Sequence, residues 1–132
     1  MKERPIHAPM EQFPTINGEL QVGGMPITQL AERVGQTPFY AYDRRLISER
    51  IQYLRDALPT ALKLHYAIKA NPMPAVVQHL ATLVDGFDLA SAGEMQTALD
   101  TTMAAEKISI AGPGKTDREL RQAIAEIGRA HV

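Results

Sequence analysis

The stretch that decides the fold is Ala61-Leu-Lys-Leu-His-Tyr-Ala-Ile68, an apolar, β-prone run that ends just before Lys69. It reads as a strand. A helix follows from about Pro74 to Leu83, then a short strand at Phe87-Asp88-Leu89 and a helix from about Ser91 to Thr101. A third strand, Ile108-Ser109-Ile110, leads to a helix from about Thr116 onward. Strand and helix thus alternate at intervals of roughly 22 residues, the mark of parallel βαβ units with right-handed crossovers. Two of the helices open with a capping-box spacing, Ser91 with Glu94 and Thr116 with Glu119. Periodicity does not choose between an open doubly wound sheet and a barrel. A complete (β/α)8 barrel takes about 250 residues, and this chain of 132 holds about three units.

Upstream the pattern is looser. Residues 1–15 carry Pro5, Pro9 and Pro14 without periodicity and read as an irregular lead. Asn17-Gly18 marks a turn, Glu19-Leu-Gln-Val22 alternates like a strand, and Gly23-Gly24 ends it. A short helix carries Leu30 and Val34 and stops at Gly35. Pro38-Phe-Tyr-Ala-Tyr42 reads as a further strand. Asp43 has the chemistry of an N-cap for a helix over 44–58, whose Ile47, Ile51, Leu54 and Leu58 share one face before Pro59 stops it.

Composition narrows the function classes. The chain has 14 Lys and Arg against 15 Asp and Glu, a net charge of −1, and gives no electrostatic footprint for nucleic acid or an anionic membrane. It has no cysteine, which excludes a disulfide scaffold, a thiolate zinc site and a thiol nucleophile within the chain. The four histidines, His7, His65, His79 and His131, have no metal-ligand spacing to one another. No apolar run approaches the ~20 residues that span a bilayer, and the start lacks the apolar core of a signal peptide. The default expectation is a soluble cytoplasmic protein without nucleic-acid or membrane partners.

Three segments carry chemistry. In His65-Tyr-Ala-Ile-Lys-Ala-Asn-Pro72, Lys69 falls where a strand ends in an apolar, small-residue neighbourhood. Desolvation there favours a neutral amine, the form that condenses with an aldehyde. The alternative is an edge lysine snorkelling to water. In Gly86-Phe-Asp-Leu-Ala-Ser91, Asp88 sits at the end of the next strand. Parallel strands share the face on which ligands bind, so Asp88 is placed to orient the lysine, or else simply to cap a loop. Ser91 and Glu94 read as helix caps. Ala111-Gly-Pro-Gly-Lys-Thr116 is not a P-loop, because Ser109 stands where the first glycine is required. Lys115 reads as a rim charge.

Together these strings resemble the pyridoxal-phosphate decarboxylases of the diaminopimelate, ornithine and arginine group. The resemblance rests on Phe39-Tyr-Ala-Tyr-Asp43, Tyr66-Ala-Ile-Lys-Ala-Asn71, Gly86-Phe-Asp-Leu-Ala-Ser91, Gly93-Glu94 and Gly112-Pro-Gly-Lys115, in order and spacing over about residues 16–125. The front part is more similar to the diaminopimelate branch, and to decarboxylase-like proteins found beside bacterial exopolysaccharide and exosortase systems. The resemblance implies an α/β fold: a partial (β/α)8 barrel over 43–126, preceded by a short β/α segment over 16–42 that belongs to a β-sandwich domain. It implies pyridoxal 5′-phosphate as cofactor, Lys69 as the internal aldimine, Ala67 lining the cofactor site and Asp88 beside lysine and ring. It further implies a small amino-acid substrate, no metal, and a head-to-tail homodimer of the full-length parent.

The family's remaining barrel strands lie outside this sequence, together with the histidine that stacks on the ring, the glycine-rich phosphate loop, the acid that pairs with the pyridinium nitrogen, and the partner subunit's cysteine and tyrosine. An N-terminal fragment inactive by itself is the expectation. The last residues, Ile127-Gly-Arg-Ala-His-Val132, back-translate to ATC GGA AGA GCA CAC GTC, which resembles a sequencing adapter. Residues 127–132 are therefore read as a non-native tail, the alternative being a natural helix end capped by Gly128. A racemase or cofactor carrier of the same fold is the nearest alternative function. Racemases typically follow the lysine with a string like Ala-Asn-Ala-Tyr-Gly, and Asn71-Pro-Met-Pro74 here favours the decarboxylases. A non-catalytic binding or regulatory module is the third reading.

Overall fold

The computed structural model describes residues 10–112 and 116–128. It divides into two compact units, Met1–Leu46 and Ile47–Val132.

In the first unit, strands β1 (Thr15–Ile16), β2 (Glu19–Val22) and β3 (Met25–Pro26) form an antiparallel meander. Asn17 and Gly18 both take positive φ in the first turn, and Gly23 and Gly24 do so in the second, the conformation that tight hairpin turns demand. Thr15 thus pairs in a strand rather than belonging to the irregular lead expected over 1–15, and Met25–Pro26 forms a strand beyond the stop expected at Gly23-Gly24; both are two-residue elements, too short to show alternation. Helix α1 (Ile27–Val34) closes at Gly35, whose left-handed backbone donates to the Ala31 carbonyl. The strand expected over Pro38–Tyr42 does not form. Extended propensity makes a strand only where a neighbour pairs with it, and among the described residues none does. Asp43 caps helix α2 (Arg44–Ala57): its Oδ1 accepts from the Arg45 N–H at 2.8 Å.

The second unit holds three parallel strands, β4 (His65–Ala67), β5 (Gly86–Leu89) and β6 (Ile108–Ile110), in the order β4-β5-β6. The helices between and after them are α3 (Pro74–Ala81), α4 (Ala92–Leu99) and α5 (Asp117–Ile127). The expected βα alternation is present, with shorter elements. β4 keeps only His65–Ala67, because Ile68–Ala70 turns into a 3-10 helix. Side chains alternate across the sheet. Ile68, Phe87, Leu89, Ile108 and Ile110 are buried in one core with Val76, Val77 and Leu80 of α3, Met95 and Ala98 of α4, and Ala123 and Ile127 of α5. Ile47 and Ile51 pack against that core.

The caps follow the sequence. Thr116 and Glu119 make a complete capping box. Ser91 accepts from the Glu94 N–H, but the Glu94 carboxylate turns to the Ala90 N–H at 2.8 Å, so only half of the expected box is made. The Thr116 backbone and hydroxyl donors hold the Glu119 carboxyl below its ordinary pKa. Gly128 takes positive φ and closes α5; residues 129–132 lie outside the described residues, as do His7 and Lys115. No helix among the described residues is long and apolar enough to cross a membrane.

One charged contact ties α2 to the lower end of the sheet. Arg55 donates to Asp85 Oδ2 at 2.6 Å and to the Leu83 carbonyl at 3.2 Å, and the Leu64 N–H donates to the same Asp85 oxygen at 2.8 Å. The Arg55 hydrogen bond, then that of Leu64, holds the Asp85 carboxyl below its ordinary value of 3.8. A carboxylate whose pKa falls on folding stabilises the folded state above its unfolded pKa, and that stabilisation is lost as the pH falls through the lower folded value. Asp85→Asn therefore lowers stability by about 1 kcal/mol at neutral pH. In urea unfolding the gap to the native chain narrows as the pH drops below 3.8. A gap equal in neutral and strongly acidic buffer contradicts this.

Candidate active site

The C-terminal ends of β4, β5 and β6 surround an open cavity of about 390 Å³, into which Ala67, Lys69, Asp88, Ala90, Ala111 and Gly112 project their surfaces. This is the edge at which parallel α/β sheets bind ligands. Ladder register builds it: Ala67 lies opposite Asp88, and Asp88 opposite Ser109. Since Phe87 and Leu89 point into the core, Asp88 faces the other way.

Lys69 is carried by the 3-10 turn Ile68–Ala70. Ile68 is fully buried and anchors that turn, and the Asn71 N–H closes it on the Ile68 carbonyl at 3.1 Å. Asn71 is itself held twice: the Tyr66 hydroxyl donates to its carbonyl at 3.1 Å, and its side chain accepts from the Met73 N–H at 3.1 Å. Pro72 and Pro74 stiffen the exit, and Pro74 opens α3 at the position where a missing N–H costs nothing. The reading of Lys69 as desolvated is corrected: the residue is exposed, because among the described residues nothing stands over this face of the sheet.

Asp88 is not a loop cap. Its Oδ1 accepts from the Ser109 hydroxyl and contacts His65 Nδ1 at 3.2 Å. Sequence reasoning placed His65 and Ser109 in strands but assigned them no part in the site. The signal was present, since His65 lies two residues before Ala67 and Ser109 one strand-to-strand interval after Asp88, all on one alternating face. The other histidine within the described residues, His79, shares a 2.9 Å contact with Ser48 and lies on α3. Ser91 and Glu94 serve as caps, as expected.

A primary amine and a carboxylate thus share a cavity floored by alanines and a glycine at φ 128°. The volume and the small side chains leave room for a flat heteroaromatic ring, and the amine is the group that holds a carbonyl cofactor covalently. The family described as pyridoxal-dependent decarboxylase, pyridoxal binding domain, matches residues 44–129. The chain belongs to this family. Among curated relatives, the diaminopimelate decarboxylase of Aquifex aeolicus is 41% identical over 108 residues, covering 82% of this chain and 25% of that protein. That of Pseudomonas fluorescens is 38% identical over 120 residues, covering 90% of this chain and 28% of that protein. A crystal structure from Aquifex aeolicus superposes with a TM-score of 0.79 at 38% identity, over 87% of this chain and 28% of that one. The chain spans about a quarter of the length of the relatives it matches.

Within this decarboxylase domain, Gly86 is required by close approach. A Cβ there would stand 2.4 Å from the Lys107 carbonyl oxygen and 2.7 Å from the His65 ring. The ring has some freedom to move, but the backbone carbonyl has little. Gly86→Ala is expected to cost about 1–3 kcal/mol, read as a lowered midpoint in thermal unfolding. An unchanged midpoint contradicts the packing described.

Proposed function

We propose that this chain is the N-terminal, cofactor-carrying part of a pyridoxal-phosphate-dependent amino-acid decarboxylase of the diaminopimelate type, with Lys69 as the lysine that carries the cofactor. The observation that carries this reading is the meeting of Lys69 and Asp88 at the C-terminal mouths of adjacent parallel strands, around an open cavity floored by small residues. The bound cofactor supplies an electron sink for the carbanion left when carbon dioxide departs. The chain's own residues then have distinct tasks. Lys69 Nζ would hold the cofactor and is placed to return a proton to the substrate carbon. Asp88 places a carboxylate at the rim of the same cavity. Ala67 presents no side chain that obstructs the ring.

On this reading the three βα units open a (β/α)8 barrel over 43–126, and residues 16–42 contribute to a β-sandwich domain. The open inner face supports it, as do β4 and β6, each of which leaves one edge unpaired among the described residues. The substrate is a small amino acid, diaminopimelate by similarity to the relatives above. Resemblance to the family supports a cytoplasmic location and a homodimer of the longer protein.

Borohydride reduction after incubation with pyridoxal phosphate tests the assignment. Peptide mass mapping is expected to find the adduct on Lys69, with Lys69→Ala reducing total labelling roughly tenfold or more. Equal labelling of Lys63 and Lys107 would overturn it. The 132-residue chain by itself is expected to release no carbon dioxide from diaminopimelate, because the charged groups of its site stand open to water; sustained turnover contradicts that.

A further inference from the structure

We propose that His65 and Ser109 are positioning residues for Asp88: their two donors on one carboxylate oxygen fix the side chain against the sheet and keep it from pairing with Lys69. The inference rests on the reading that Lys69 carries the cofactor. Three strands contribute. Asp88 lies on the central strand β5, His65 on β4 and Ser109 on β6, with Asp88 and Ser109 in direct register. Both contacts go to Oδ1. The carboxylate therefore has one oxygen engaged on the sheet, while its side chain, about half exposed at 47%, borders the cavity that Lys69 also borders.

An aspartate in this setting has two competing partners. One is the His65–Ser109 pair below it; the other is the Lys69 ammonium in the same cavity. A direct Asp88–Lys69 ion pair would hold the lysine charged, and a charged amine does not condense with an aldehyde. Donors that occupy Oδ1 bias the aspartate toward the sheet and leave the amine free to react. At the opposite end of the strands Lys63, Asp85, Glu106 and Lys107 share a second hollow with His65. Glu94, in the first turn of α4, is engaged by the Ala90 N–H. Lys69 is thus the cation that shares a cavity with Asp88 among the described residues.

Gly86 belongs to the same device. With no Cβ there, the His65 ring lies over the β5 backbone two residues below Asp88, and Nδ1 comes within 3.2 Å of the carboxylate. A larger residue at 86 would push the ring away.

The test follows the rate of borohydride-trapped pyridoxal phosphate labelling at Lys69 in the intact chain, at one fixed pH. Ser109→Ala and His65→Leu are each expected to slow labelling of Lys69 by about threefold to tenfold, the worth of one hydrogen bond. Ser109→Thr, which keeps the hydroxyl, is expected to restore the rate. In an Asp88→Asn background neither substitution is expected to change the rate further, because the competing negative charge is gone. Far-UV circular dichroism and a cooperative thermal transition identify variants that fold, and His65→Leu, alone and in the Asp88→Asn background, carries the test if Ser109→Ala does not fold. Three results would overturn the proposal: unchanged or faster labelling in both single variants, equal slowing in the Asp88→Asn background, or slowing in Ser109→Thr as large as in Ser109→Ala. Failure of the underlying cofactor assignment looks different, since the unsubstituted chain would then show no preference for Lys69.

Discussion

The pairing register of β5 with its two neighbours is the constraint on which the rest of the second unit depends. In a strand, alternate side chains belong to opposite faces, and a slip of one residue exchanges the faces completely. Phe87 and Leu89 are buried against α3, α4 and α5, and a fully buried side chain of that kind stabilises by about 1.5–3 kcal/mol. The slipped arrangement would drive Asp88 into that apolar layer without a partner, at a heavy cost. Core packing therefore decides where the carboxylate stands. The same register brings Ser109 beside it from β6 and sets His65 lower on β4.

A second consequence concerns the lysine. β4 gives way to a 3-10 turn immediately after Ala67, and Ile68 anchors that turn in the core. The turn places Lys69 beyond the end of the ladder. Tyr66 and Asn71 then lock the segment to the start of α3. Each residue of Tyr66-Ala-Ile-Lys-Ala-Asn71 except Ala70 has a structural or cavity-lining task that this geometry identifies. The motif is as much a device for ending a strand abruptly as a carrier of one reactive amine.

The parallel βα alternation was legible because its signals are local. Capping residues, glycine stops and apolar runs each act within a few positions, so Gly35, Asp43, Ser91 and Thr116 could be read directly. Lys69 and Asp88 were legible because strand ends in such folds face one way. Two things were not. Pro38–Tyr42 has the composition of a strand, yet pairing is a property of a neighbour, and composition does not supply one. The contacts of Asp88 join residues 21 and 23 positions apart; they become visible only when three strands are laid in register. The burial expected for Lys69 failed for a related reason. Burial depends on what stands opposite, and the strand that carries the residue does not encode it.

The exposure of this face sharpens the role of the His65–Asp88–Ser109 contacts. A carboxylate in water keeps its rotamers open and gains little from a single charged neighbour, since exposed ion pairs contribute about 0–1 kcal/mol. Two donors converging on one oxygen are a different case, because they restrict the side chain before any wall closes over it. The aspartate is then oriented by the sheet rather than by a ligand. Organisation of this kind lowers the entropy that binding must otherwise remove. A cofactor entering the cavity meets a lysine and a carboxylate already held apart, and the separation is written into three strands whose positions are set by the apolar layer beneath them.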